Sequence, residues 1–261
     1  MNSDSDQPQD TSGALMPIME PITSGAKEED GKKRPLAELF SRAFEIYREN
    51  PTMIVPSLIP IAALIIGMAI FAGYMGLMAV FGGEGFIAFS AMAGFFLFLI
   101  VMIVLFFLAE GVTIEMIRQA SSGGKADLSY AWQSSRDRME PLVLSSLLAG
   151  IIAAFGYMLL FIPGVILSFA FFFVAQTVMI DGRSGIQALK ASYSFVEANL
   201  FDSVIVVLAS LAIGAVLSGI PFIGALLGLL SLPYIYGLAT LLYLDYAARQ
   251  PERPGTNVPI S

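Results

Sequence analysis

The chain has 261 residues, of which 56% are hydrophobic and only 13% charged, and its formal net charge is −7. An ordinary soluble domain carries about 25% charged residues, so this composition indicates apolar side chains that face lipid. The acidic balance excludes an electrostatic basis for binding nucleic acid. The absence of Cys and His removes disulfides, thiolate nucleophiles, imidazole bases and the usual zinc ligands. We therefore predict no metal and no cofactor.

The N-terminal segment, residues 1–34, is polar and acidic and contains no aromatic residue. It buries too little apolar surface to offset its chain entropy, so we predict a disordered cytosolic tail. No apolar core precedes a cleavage site, as a signal peptide would require. The predicted membrane domain covers residues 35–247, and residues 248–261 form a short cytosolic C-terminal tail.

Six apolar runs are long enough to cross the hydrocarbon core, which takes about 20 helical residues. They cover residues 53–81, 86–108, 142–162, 165–180, 204–220 and 222–244. Short turns that contain Gly or Pro join the runs in pairs, at 82–85, 162–164 and 219–221. Gly and Pro end helices and permit tight reversals. The predicted fold is all-α, a polytopic membrane protein with six transmembrane helices arranged as three hairpins.

The basic residues are distributed asymmetrically around these runs. All 14 Lys and Arg residues lie before the first run, in the two long connections or after the last run, and the three tight turns contain none. Lys and Arg accumulate on the cytosolic side of membrane proteins. We therefore predict a multi-pass protein of the cell (inner) membrane, with its N- and C-termini in the cytosol and its tight turns outside.

A short amphipathic segment precedes each predicted hairpin, with apolar residues at three- and four-residue spacing. The first and third of these segments align without gaps, residues 39–50 against 188–199, which places Phe44 over Tyr193 and Asn50 over Asn199. We interpret the repeating unit as a cytosolic interfacial amphipathic helix followed by a transmembrane hairpin, used three times. The alternative is that these segments pack on the cytosolic ends of the spans, and both can hold.

Three acidic residues, Glu110, Asp181 and Asp245, lie where the second helix of each predicted hairpin reaches the cytosol, and Asp202 begins the fifth span. A carboxylate in lipid is costly and is often functional. One hypothesis gathers Glu110, Asp181 and Asp245 into an acidic ring that binds a cation or a protonated group. The alternative is that these acids form salt bridges with Arg or Lys of the interfacial helices. No catalytic residue is predicted.

One stretch of the sequence resembles a known family. Ile162, Pro163 and Gly164 precede an apolar helix that ends in Asp181 and Gly182, and further small and polar positions follow at Ser184, Gly185, Ala188, Ser192 and Asn199. This pattern resembles the prokaryotic membrane-domain superfamily that includes the membrane domain of glycerophosphoryl diester phosphodiesterase. The resemblance implies a structural signature in an inner-membrane protein. It does not imply the enzymatic activity, because the catalytic barrel of the fused members needs roughly 250 residues of its own.

The functional prediction from the sequence is a non-enzymatic integral membrane module. Its amphipathic and charged features lie on the predicted cytosolic face, so we expect it to organise membrane lipids, or a membrane or cytosolic protein partner, at that face. One alternative is a small transporter or channel that uses the acidic residues near the cytosolic helix ends. A third hypothesis is a lipid-modifying membrane enzyme.

Overall fold

The computed structural model describes residues 33–81, 84–221 and 223–250, and these residues are helical with no strand among them. The predicted all-α class is therefore confirmed. Residues 1–32, the Gly82-Gly83 pair of the first predicted turn, residue 222 and residues 251–261 lie outside the described residues. The described helices are α1 (Leu36–Glu49), α2 (Val55–Phe81), α3 (Glu84–Ser121), α4 (Leu128–Leu159), α5 (Phe161–Ala170), α6 (Val174–Met179), α7 (Gly185–Ala198), α8 (Leu200–Ser218) and α9 (Gly224–Ala248).

Six described segments are long and apolar enough to cross a membrane, which confirms the predicted number of spans. They are Pro51–Val80, Phe89–Ser121, Leu128–Leu159, Phe161–Met179, Leu200–Leu217 and Leu226–Ala248. The first segment begins with the 3₁₀ turn Pro51–Ile54, and the fourth combines α5 with α6. Consecutive segments contact one another, α2 against α3, α4 against α5 and α8 against α9.

Two helices are longer than the sequence predicted. α3 has 38 residues and α4 has 32, so they extend about 57 Å and about 48 Å, whereas the hydrocarbon core is about 30 Å thick. The apolar run ends at Leu108, but α3 continues to Ser121 because helical hydrogen bonds do not require apolar side chains. The predicted amphipathic segment before the third span is likewise not a separate helix. It is the first part of α4, which continues through Pro141.

Buried residues concentrate at one end of the bundle, which we call the packed layer. It consists of α1, residues 173–198 with α6 and α7, and residues 109–121 of α3, 128–149 of α4 and 234–248 of α9, and it contains most of both buried apolar clusters. The other ends of the spans expose large apolar side chains such as Ile70, Met158 and Val216. Packing of protein on protein therefore holds one end of the bundle, and the apolar surface of the opposite end is suited to lipid.

The turn predicted at 162–164 lies two residues earlier. α4 ends at Leu159, Leu160 alone is extended, and Pro163 and Gly164 belong to the first turn of α5. Proline is tolerated in the first turn of a helix, where its missing N–H has no intrahelical partner to lose. α4 and α5 approach closely here, because a Cβ on Gly156 would meet the backbone of Gly164 at 3.0 Å. The turn predicted at 219–221 lies between the end of α8 at Ser218 and the start of α9 at Gly224.

Substituting Gly164 by Ala tests this close approach. A Cβ there would stand 2.4 Å from the ring of Tyr157 and 2.7 Å from its backbone nitrogen, so the two helices must separate. We expect Gly164→Ala to destabilise the protein by about 1–3 kcal/mol, the range for overpacking. Gly150→Ala is the control, because open space surrounds that helical position and Ala favours a helix over Gly. Thermal unfolding in one detergent compares the variants, and equal melting temperatures would contradict the close packing.

Helix α1 packs lengthwise against α9. Ala43 lies near Gly237, the rings of Phe44 and Tyr234 meet edge to face, and the Tyr47 hydroxyl donates to the Leu230 carbonyl at 3.0 Å. Later residues of α1 contact earlier residues of α9, so the two helices are antiparallel. Burial raises the pKa of the Tyr47 phenol, which keeps it a donor at neutral pH. For α1, these contacts favour the alternative in which the amphipathic segment packs on the spans.

Asparagine ends both α1 and α7, each of which has 14 residues. The Asn50 Nδ2 donates to the Ile46 carbonyl at 3.0 Å, and the Asn199 Nδ2 donates to the Phe195 carbonyl at 3.2 Å. Each side chain thus satisfies a carbonyl of the last helical turn. Asn50 also accepts from the backbone N–H of Ala126, which ties the end of α1 to the loop between α3 and α4. The two residues aligned in the sequence therefore perform the same task.

Candidate functional site

Of the three predicted acids, Glu110 lies inside α3, eleven residues before its end at Ser121. It was predicted where the second helix of the first hairpin reaches the cytosol, and it lies within α3 rather than at the end of that helix. Its side chain lines a small enclosed cavity between α2, α3 and α9, together with Ser57, Tyr236 and apolar residues. Among the described residues, no salt bridge or hydrogen bond to its carboxylate is found.

Asp181 and Asp245 are ion-paired in the packed layer. Asp181 accepts a hydrogen bond from the Tyr243 hydroxyl at 2.7 Å and lies 3.6 Å from Arg183. Asp245 lies 3.2 Å from Arg249 and 3.7 Å from Arg34. The predicted salt bridges are present, but their basic partners flank the helices and do not belong to α1 or α7. Asp202 follows the same pattern, because its partner Lys33 precedes α1.

The described geometry separates Glu110 from Asp181 along α9. Glu110 shares its cavity with Tyr236, whereas Asp181 is bonded to Tyr243, seven residues further along the helix. Seven residues correspond to about 10 Å of helix axis. One acidic ring, as the sequence suggested, would require all three carboxylates to lie together. The structure instead offers two separate acidic environments, one at Glu110 and one around Asp181 and Asp245.

A larger cavity of about 860 Å³ opens in the packed layer, and four arginines contribute to its wall. Arg34 precedes α1, Arg42 lies in α1, Arg118 in the last turn of α3 and Arg138 in α4. Asp245 is the one carboxylate among the described lining residues, so arginine outnumbers acid there by four to one. This excess is local, since the whole chain carries a net charge of −7. The cavity size falls in the range of small-molecule sites.

Backbone and side-chain acceptors hold three of these arginines in place. Arg42 donates from Nη2 to the Ser121 carbonyl at 3.0 Å, which satisfies one of the free carbonyls at the end of α3. Arg138 donates from Nη1 to the Met179 carbonyl. Arg118 makes a two-point bond with Glu115, at 2.8 Å from Nε and 2.6 Å from Nη2. Each guanidinium has five N–H donors, so all three retain donors for an anionic ligand.

Gln119 supplies a donor without an acceptor beside these arginines. Its Oε1 accepts from the backbone N–H of Asp127 at 3.1 Å, which fixes the orientation of the amide. Its Nε2 is buried and has no hydrogen-bond partner among the described residues, although Gln119 lines the large cavity. An unsatisfied buried donor costs about 1–3 kcal/mol. The cavity therefore presents guanidinium donors from four arginines, as suits a phosphate-like anion.

Glu115 was not predicted as a functional residue from the sequence, and the four arginines indicated only the topology. Glu115 is 2% exposed and lies three residues before Arg118, a spacing that places both side chains on one face of a helix. That i,i+3 acid–base pair was a usable signal. The cavity was not readable, because its arginines are separated by up to 104 residues (34 to 138) and meet only through tertiary packing.

Comparison with known families matches the second part of the chain. Residues 131–247, from within α4 to near the end of α9, match the family described as Domain of unknown function (DUF7847). No curated protein matches the chain. No solved structure matches it. The matched region includes Arg138, Asp181 and Asp245, whereas Arg42 and Glu110 lie before it. The chain is thus similar, over its last four candidate spans, to a family of unknown function.

Proposed function

We propose that this chain is a non-enzymatic membrane module that holds an anionic lipid headgroup in the arginine-lined cavity on the cytosolic side. The observation that carries the proposal is the convergence of Arg34, Arg42, Arg118 and Arg138 on one cavity. Arginine matches the geometry of phosphate oxygens and remains charged at every physiological pH. The chemistry that the cavity would recognise is therefore a phosphate group.

The orientation in this proposal places the packed layer in the cytosol. The described Lys and Arg residues lie before α2, between the last turn of α3 and the middle of α4, between α6 and α8, or after α9. Basic residues favour the cytosolic face, where anionic lipids are abundant. α3 and α4 are long enough to span the hydrocarbon core and still contribute a turn or more to a layer outside it. The cavity would then open at the headgroup level of the inner leaflet.

We also propose that the six spans form three membrane hairpins, each preceded by an interfacial amphipathic segment. The contacts of α2 with α3, α4 with α5 and α8 with α9 support the hairpins, and the equivalent capping by Asn50 and Asn199 supports an internal repeat. Outward aromatic side chains at Phe44, Trp132 and Tyr193 support contact with the headgroup region, where aromatic residues are enriched. The resemblance to the glycerophosphoryl diester phosphodiesterase membrane domain is compatible with a lipid-linked role.

Replacing Arg42 by Gln tests the lipid site. A hydrogen bond to a charged group is worth about 1.5–3 kcal/mol, so Arg42→Gln should weaken retention of an anionic lipid about tenfold or more. The protein is exchanged into nanodiscs containing phosphatidylglycerol or phosphatidylcholine, and retained lipid is counted by native mass spectrometry. Arg48→Gln is the matched control, because it removes the same charge from an exposed position of the same helix.

A soluble competitor distinguishes the possible sources of the phosphate. Excess glycerol phosphate should displace little lipid if the acyl chains contribute to binding, and complete displacement would identify a soluble ligand and contradict a lipid site. Equal retention of the two lipids by the wild type would contradict an anionic headgroup site. Equal losses in Arg42→Gln and Arg48→Gln would show attraction to the general basic surface, and the cavity would then have no specific role.

A further inference from the structure

A second cavity, separate from the arginines, lies beside Glu110. Its volume is about 10 Å³, and it is lined by residues of α2, α3 and α9, among them Ser57, Glu110, Leu229 and Tyr236. This volume corresponds to about one water-sized probe, so the cavity accommodates a single water molecule or a single bare ion. The remaining described lining residues are apolar. The polar groups are therefore concentrated around a space for one small species.

Two prolines leave backbone carbonyl oxygens of α2 and α9 without their helical donors. Pro233 lies inside α9 and has no N–H, so the carbonyl of Leu229 loses its helical donor. Leu229 itself lines the cavity. Pro60 lies inside α2 and likewise leaves the carbonyl of Pro56 without a helical donor, next to Ser57 in the chain. Backbone carbonyls without a helical donor are among the cation ligands of membrane proteins, and α2 and α9 each leave one such carbonyl while remaining continuous helices.

Glu110 differs from the other enclosed acids of the chain in its surroundings. Asp181, Asp202, Asp245 and Glu115 each lie within 4 Å of a Lys or Arg. Among the described residues, Glu110 has no such cation and no hydrogen bond. An ionised carboxylate in apolar surroundings requires a compensating positive charge. The cavity at its side leaves room for that charge to be a bound ion.

We propose that Glu110, the hydroxyls of Ser57 and Tyr236 and the carbonyl of Leu229 form a binding site for a monovalent metal cation of the sodium class. Oxygen ligands suit hard cations. A single carboxylate balances a single positive charge, whereas a divalent ion would leave an uncompensated charge in an apolar environment. The site joins the first two spans to the last.

Sodium itself is the probe for the experiment. The purified full chain is unfolded thermally in NaCl and in choline chloride at equal ionic strength and pH. Because an ion that binds only the folded state stabilises it, saturating sodium should raise the melting temperature by about 5 °C over choline. Glu110→Gln should abolish this difference. Glu45→Gln, which changes an exposed acid of α1, is the control and should keep the full sodium response.

Milder variants keep the test decisive if Glu110→Gln fails to fold. Ser57→Ala and Tyr236→Phe each remove one oxygen ligand, and we expect each to shift the sodium midpoint at least threefold toward higher concentration. Identical melting in NaCl and choline chloride for the wild type would overturn the proposal. A melting temperature that responds to pH but not to sodium would also overturn it, since the cavity would then accommodate only a protonated carboxyl group.

Discussion

Replacing Arg118 by Met is expected to destabilise the protein by about 3–5 kcal/mol, because it leaves the buried carboxylate of Glu115 without a partner. Glu115 is 2% exposed, and its neighbours Ile114 and Met116 are fully buried. Both carboxylate oxygens are bonded to the guanidinium, at 2.8 and 2.6 Å, so one substitution removes both contacts. Denaturant titration in mixed micelles, followed by far-UV circular dichroism, measures the loss.

A double variant separates loss of the ion pair from loss of packing. Glu115→Leu combined with Arg118→Met removes both charges, and replacing a buried pair by apolar residues is often neutral or stabilising. We expect the double variant to recover most of the stability. Arg136→Met, at an exposed position of α4, should change the free energy of unfolding by no more than about 0.5 kcal/mol. If Arg118→Met alone is at least as stable as the double variant, the carboxylate of Glu115 does not need the guanidinium as a partner, and the prediction is wrong.

Single-cysteine labelling should give an all-or-none result for the two ends of the bundle. The native chain has no Cys, so each introduced thiol reports on one position alone. We expect Leu160→Cys, at the exposed junction of α4 and α5, to react with an impermeant maleimide on intact cells. Ser122→Cys, at the exposed end of α3, should react only after permeabilisation. Both expectations follow from the cytosolic preference of Lys and Arg.

The choice of position matters in this experiment. Gly164 was an equally plausible external position from the sequence, but a side chain there would collide with Tyr157. A failure to label Gly164→Cys would therefore report poor folding or poor access, and its side of the membrane would remain untested. Labelling of Ser122→Cys on intact cells, or of Gly123→Cys in the same loop, would overturn the orientation. Reaction of Leu160→Cys only after permeabilisation would overturn it equally.

Hydropathy predicted the helical class and the six spans because both depend on local, continuous stretches of sequence. It placed helix ends incorrectly where a helix continues beyond its apolar run. Leu108 ends the run in α3, but the helix continues through Glu110 and Glu115, whose polar side chains fit a helix as well as a connection. The prediction for the fourth span was wrong in the opposite way. Its apolar run is continuous, yet the helix is interrupted at Phe171–Phe173, where Phe173 turns inward onto Phe195.

The candidate sites were predictable only in part, because tertiary packing brings together residues that are far apart in the sequence. Salt bridges at Asp181, Asp202 and Asp245 follow from the cost of an unpaired charge and could be expected without a structure. The cavity formed by Arg34, Arg138 and the other arginines depends on how α1 packs beside α3, α4 and α9, and no local pattern encodes that. The oxygen ligands near Glu110 are similarly distributed over three helices.

The concentration of buried contacts at one end of the bundle has a mechanical consequence. Helices fixed together at the base and surrounded by acyl chains toward the tips respond to bilayer thickness mainly by tilting. Spin labels at Leu160 and Ile220, near two tips, should therefore change their separation between thin and thick bilayers. Labels at Ser122 and Gln250, near the base, should keep theirs. We therefore expect the length of the acyl chains to set the distance between the tips of the helices.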